Sequence, residues 1–174
     1  MSRVVYALGA VCLAYGVVTY WSDDMGFSAA LSRGDVETAR QAVKTLKWLG
    51  RDGPSRHTEL GRRLARQGED AAALVEFQRS VELSPTVRAW KSMALLFEQR
   101  REWEHAASAY ASALALEPDD ASMLFRVGRA WLEAGRPENA LEPLERAAAL
   151  APGQKLIGLS LARARRESEA ASQP

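Results

Sequence analysis

Residues 106–118 read AASAYASALALEP, and the same skeleton returns on either side as ALVEFQRSVELSP at 73–85 and ALEPLERAAALAP at 140–152. The closing prolines Pro85, Pro118 and Pro152 stand 33 and 34 residues apart. Twelve places upstream of each proline lies Ala73, Ala106 or Ala140. Eight places upstream lies Phe77, Tyr110 or Leu144, and five places upstream lies Ser80, Ala113 or Ala147. A fixed period in this range marks a repeat architecture, in which one unit cannot bury its own apolar face and neighbours must stack to make a core.

Working outward, three clear copies span 54–86, 87–120 and 121–154. The first carries His57, Leu60-Gly61, Leu64, Gly68, Ala73, Phe77, Ser80, Leu83 and Pro85. The second carries Trp90, Met93-Ala94, Phe97, Trp103, Ala106, Tyr110, Ala113, Leu116 and Pro118. The third carries Leu124, Val127-Gly128, Trp131, Gly135, Ala140, Leu144, Ala147, Leu150 and Pro152. This pattern resembles the tetratricopeptide repeat, W-x2-L-G-x2-Y, then A-x3-F, then P. Two departures stand out: His57 replaces the first aromatic, and Arg101 occupies the place of Gly68 and Gly135. The first copy is one residue short, in the loop after Pro85, where a deletion costs least.

The resemblance implies an all-α fold, an α-solenoid of antiparallel helix pairs wound into a superhelix. Gly61, Ala94 and Gly128 are then the small residues that let paired helices approach, and Ala73, Ala106 and Ala140 accept a neighbouring knob. A degraded fourth copy precedes these over 23–53, with Gly34, Ala39, Val43 and Leu46 each 34 residues before its counterpart. Its second helix is expected from about Asp35 to Leu49. Its first is a weak match at Phe27 and Ala30. Pro54 suits the first turn of the next helix. After Pro152, Leu156 to Arg166 reads as a capping helix with Leu156, Ile157, Leu159 and Leu161 on its apolar side. Ser168 to Pro174 reads as a frayed tail, so that 155–174 forms cap and tail.

Residues 4–21, VVYALGAVCLAYGVVTYW, contain no charge. As a helix they reach roughly 27 Å, close to the ~30 Å hydrocarbon core of a bilayer. Tyr6 at one end and Tyr20-Trp21 at the other suit the headgroup region. A transmembrane anchor over 1–22 is therefore the favoured reading. A signal peptide cleaved after Gly16 and a buried core helix are the alternatives. Arg3 precedes the run, whereas the first basic residue after it is Arg33, which predicts a cytoplasmic N-terminus and extracytoplasmic repeats. Scarce Lys against abundant Ala, Leu and Arg points to a GC-rich bacterial genome, hence the periplasmic side of an inner membrane.

The rest of the composition mostly excludes. The net charge of +1 gives no global basic excess for nucleic acid. A single cysteine, Cys12, builds neither a disulfide framework nor a cysteine zinc site within one chain. The histidines are His57, at a repeat core position and expected to be packed and satisfied, and His105, expected to be solvated beside Glu102 and Glu104. Of the acidic pairs, Asp23-Asp24 would stop the anchor and Asp119-Asp120 would cap the following helix. No phosphate-binding loop, nucleophile elbow or zinc motif appears. No cofactor, metal or catalytic residue is expected.

The concave face in this family is lined by the first helix of each repeat. Projected onto this chain, that face carries Arg62, Arg66, Arg88, Lys91, Arg126 and Arg129 against Glu59, Glu98 and Glu133, a local excess of +3, with Leu95 and Phe125 as apolar contacts. Such a groove suits an acidic or carboxylate-ended peptide, with Arg supplying forked hydrogen bonds. The family's carboxylate-clamp positions here hold Thr58, Arg62, Ser92, Ser122 and Arg126, of which only Arg126 agrees in kind, so chaperone-type clamping is not expected. The resemblance implies a non-catalytic, membrane-anchored scaffold or assembly adaptor of the bacterial envelope. A subunit of a large membrane complex, or a regulator docking on an enzyme, is the alternative.

Overall fold

The structure, a computed structural model, describes residues 25–171. The apolar segment 4–21, and with it the expected anchor and Asp23-Asp24, lies outside the described residues. Among the described residues no helix is long and apolar enough to cross a membrane. The chain divides within a helix into two compact units, residues 1–76 and 77–174.

In the first unit, α1 covers residues 25–33. It is followed by α2 (Val36–Trp48), α3 (Pro54–Arg66) and the first half of α4 (Asp70–Leu83). The weakly matching start of the degraded copy is helical over the described residues 25–33. Phe27 and Ala30 are buried, because one turn of spacing puts both on the face that Val36, Ala39, Val43 and Leu46 of α2 also bury. Gly34 turns the chain between α1 and α2. Its amide donates to Leu31 O at 3.1 Å and that of Asp35 to Ala30 O at 2.9 Å, the paired bonds of a left-handed helix stop. Asp35 then caps α2, accepting from Thr38 N at 3.0 Å. The Thr38 hydroxyl, and after it the Thr38 amide, hold the Asp35 carboxyl below its ordinary range.

The second unit continues with α5 (Val87–Gln99), α6 (Trp103–Leu114), α7 (Ala121–Glu133), α8 (Pro137–Leu150) and α9 (Lys155–Ala171). Consecutive helices pack on one another from α5 to α9. Thr86 caps α5 through Ala89 N at 3.2 Å, and Asp120 of the Asp119-Asp120 pair caps α7 through Met123 N at 3.0 Å. The recurring positions are the core: Ala106, Tyr110, Ala113, Ala140, Leu144 and Ala147 are all 0% exposed. Gly128 marks the closest approach, since a Cβ there would lie 2.4 Å from Leu144 Cγ.

The turn between paired helices is the same device four times. Gly34, Gly68 and Gly135 have φ of 77°, 80° and 71°, and Arg101 takes φ 59° in the same place. Arg101 N donates to Glu98 O at 3.0 Å and Glu102 N to Phe97 O at 2.9 Å, reproducing the glycine stops. A side chain there costs about 1–2 kcal/mol relative to an unstrained position.

Two expectations for the C-terminus need correction. The expected tail from Ser168 is helical through Ala171. Residues 159–173 hold no Gly or Pro to stop it, and Arg163 holds Glu167 at 2.7 Å one turn on. The apolar side of α9 is also not the four-residue run. Ile157 and Ala164 are buried with Leu161 packed beside them, whereas Leu156 and Leu159 are each 67% exposed. A helix returns to the same face after three or four residues, and 157, 161 and 164 keep that period while 156 and 159 do not.

Candidate partner-binding surface

In the second unit, Arg88, Lys91, Leu95 and Glu98 follow one another along α5 at intervals that place them on one stripe. Arg88 and Lys91 are exposed, and Leu95 is 38% exposed. On α7, Arg126 and Arg129 form a second pair one turn apart. The two helices meet at Glu98. Its carboxylate accepts from Arg126 Nη1 at 3.4 Å through Oε2 and from Arg129 Nη2 at 2.9 Å through Oε1. Glu98 is 12% exposed while Arg126 and Arg129 remain 33% and 42% exposed, so the acid lies beneath the guanidiniums.

Tyr110 supports this arrangement from α6. Its hydroxyl accepts from Arg126 Nη1 at 3.3 Å, and the Arg126 guanidinium lies 5.8 Å from the ring centroid, a cation–π distance. Burial, then the neighbouring Glu98 charge, push the phenol up to about 12 against the opposing pull of Arg126.

The expected site residues thus separate. Arg126 and Arg129 are brought together with Glu98, while Lys91 has no ion-pair partner among the described residues. Phe125 packs half-buried on the Leu144 and Leu124 clusters and serves the core more than an open groove. Arg62 and Arg66 belong to the first unit, where Arg62 Nη1 pairs with Glu59 at 3.3 Å and Arg66 is exposed. Glu133 is taken up by Arg163 of α9 at 2.7 Å. The three acids already counted in the projected excess of +3 are thus all engaged, Glu59 by Arg62, Glu98 by Arg126 and Arg129, and Glu133 by Arg163 from outside the projected set.

The histidines are placed as expected. His57 is 3% exposed, with Nδ1 2.7 Å from Glu76 Oε2 and Nε2 3.4 Å from Asp52 Oδ2. His105 is 71% exposed beside Glu102 at 3.5 Å. Glu104, His105, Ser108, Trp131, Arg136 and Asn139 line an open hollow of 370 Å³ in the second unit. Among the described residues no group of three or more His, Cys, Asp or Glu side chains stands ready for a metal ion.

The family model for the tetratricopeptide repeat matches residues 91–155. This stretch is a tetratricopeptide-repeat segment. No curated protein matches the chain. Among solved structures, MamA residues 41–end from Desulfovibrio magneticus RS-1 superimposes with a TM-score of 0.63 at 21% identity, over 86% of this chain and 87% of that one. A tetratricopeptide repeat protein from Parabacteroides merdae ATCC 43184 gives 0.69 at 17% identity, over 87% of this chain and 60% of that one. The first TPR of Spaghetti (RPAP3), bound to the HSP90 peptide SRMEEVD, gives 0.55 at 21% identity, over 69% of this chain and 94% of that one. At these identities the likeness is one of fold: an all-α tetratricopeptide-type repeat fold runs through most of the chain. The glycine stops and small-residue contacts of the repeats are what the described helices display.

Proposed function

We propose that this chain is a non-catalytic scaffold that holds an acidic or carboxylate-ended segment of a partner protein along α5 and α7, and is itself held at a membrane through residues 4–21. The observation that carries the binding half is the Glu98 carboxylate beneath Arg126 and Arg129. It holds two guanidiniums, each with more N–H donors than that contact uses and each still partly exposed. A preorganised fork of this kind suits a carboxylate, because the ordering cost is met before the ligand arrives. Lys91 and Arg88 extend the positive stripe, and Leu95 supplies an apolar contact. The SRMEEVD peptide on a similarly folded protein is acidic, which agrees with this ligand class. The recognition here differs in detail, since of the residues at clamp positions only Arg126 agrees in kind.

The membrane half rests on the uncharged run from Val4 to Trp21. The test is purification of the full chain from native membranes in mild detergent, with co-purifying chains identified by mass spectrometry. It is run beside the Arg88→Glu, Arg126→Glu variant. A partner retained by the wild type and depleted at least tenfold in the variant, at unchanged helicity, is the expected result. An identical partner set in both would sink the α5–α7 surface.

A further inference from the structure

We propose that the C-terminal end of α2 is a foot resting on an anionic lipid surface, with Trp48 and Leu49 entering the headgroup layer and Lys44 and Lys47 meeting lipid phosphates. This inference rests on the reading of residues 4–21 as an anchor.

Trp48 is 84% exposed, the most exposed large apolar side chain among the described residues, and the adjoining Leu49 is 39% exposed. Tryptophan is a residue that proteins rarely leave in water, but one that bilayer interfaces favour for its apolar body and polar N–H. Lys44, Lys47 and Trp48 share one face of α2 at one-turn spacing. Both lysines are exposed and have no carboxylate partner among the described residues. The acid on this helix, Glu37, lies at its other end and is engaged by Arg40 at 3.4 Å and Gln41 at 2.9 Å. The first acid beyond the helix, Asp52, is 9% exposed and faces His57 at 3.4 Å. The repeat register makes the tryptophan anomalous. The equivalent positions 34, 67 and 101 residues on hold Glu82, Ala115 and Ala149, all exposed and none large and apolar.

Position argues for lipid over any other cover. The two-residue turn at Gly34-Asp35 folds α1 and α2 into an antiparallel hairpin. The end of α2 therefore returns alongside Met25, the first described residue and itself 60% exposed. Only Ser22, Asp23 and Asp24 separate Met25 from Trp21, the last residue of the uncharged run. Four residue steps reach at most about 14 Å. Trp48 lies 13 residues after Asp35 and Met25 nine before Gly34, which carries Trp48 about 6 Å beyond Met25 along the hairpin. An anchored chain would thus bring a Trp–Lys face to headgroup level, where each lysine strengthens attachment to an anionic surface about fivefold.

The full chain, reconstituted in vesicles, tests this with two nitroxides. One is on the native Cys12 and one on Thr45→Cys in a Cys12→Ser background, where Thr45 is exposed beside Trp48. A nickel chelate on both sides of the bilayer reports water access. In phosphatidylcholine–phosphatidylglycerol vesicles the label at 45 should be shielded several-fold. That shielding should fall in phosphatidylcholine alone, and fall again in the Trp48→Ser, Lys44→Gln, Lys47→Gln variant. Shielding that ignores lipid charge, or that persists in lipid-free detergent because protein covers the site, would overturn the proposal. So would an open label at 45 beside a shielded label at 12, with the anchor left standing. A shielded 45 with an open 12 would keep the foot and remove the anchor.

Discussion

Lys44 and Lys47 in the first unit and Arg126 and Arg129 in the second are both pairs of exposed cations one helical turn apart, yet they are held in opposite ways. The arginines share a carboxylate at 2.9 and 3.4 Å, and Arg126 also leans on buried Tyr110, so their directions are set. The lysines have no such partner among the described residues and adjoin a tryptophan that is 84% exposed. The contrast separates two kinds of positive surface. Pinned guanidiniums present donors in a set geometry and suit a discrete carboxylate. Unpinned ammonium groups on flexible stems suit a diffuse charged surface.

The largest expected break comes from beneath the arginines. Gly128 lies between them in sequence and its helix touches Leu144, so Gly128→Ala should force α7 off α8 and lower stability by about 2 kcal/mol. Urea denaturation measures it, and a variant as stable as the parent would mean that the frame holding the guanidiniums is not tightly packed.

Tyr110→Phe is the next step down. Loss of the hydroxyl that accepts from Arg126 should cost about 1 kcal/mol at neutral pH. The alkaline behaviour sharpens the test. With a folded pKa of about 12 against an ordinary 10.0, the buried phenol keeps its proton where the unfolded chain gives it up. Its contribution is complete below pH 10.0 and is lost as the pH climbs toward about 12. Wild type should therefore lose stability over that interval more steeply than the phenylalanine variant. Parallel curves would show that Tyr110 ionises as freely in the fold as outside it.

The smallest effect belongs to the lysines. Lys44→Gln with Lys47→Gln should leave stability within about 0.5 kcal/mol of the parent, since neither makes an ion pair. A larger thermal or urea shift would show that these charges serve the fold, and the contrast with Arg126 and Arg129 would collapse.

Most of the repeat fold could be read along the chain. Ala106, Tyr110 and Ala113 announce a buried face by spacing alone, and Gly34, Gly68 and Gly135 announce the left-handed stops. Arg101 shows the limit of reading such stops by residue type, because its register held where its chemistry did not. The exposure of Trp48 was also readable, since its register partners Glu82, Ala115 and Ala149 are surface positions. The true face of α9 was readable too, had the period been weighed above the density of leucines.

The candidate surface was only half legible. Each arginine could be assigned to a helix face from its position, because a helix repeats its directions every few residues whatever surrounds it. That Glu98 lies under both Arg126 and Arg129, and that Arg163 reaches from α9 to take Glu133, could not. Those pairs join residues 28 to 31 apart in sequence, and their distances depend on how helices cross. Local periodicity and steric rules acting within a few residues are what the chain alone determined: helices, stops, caps and the buried positions of each copy. Which charges are pinned and which stand free was decided only when separate helices packed, because pairing energies depend on distance and burial that no single helix possesses.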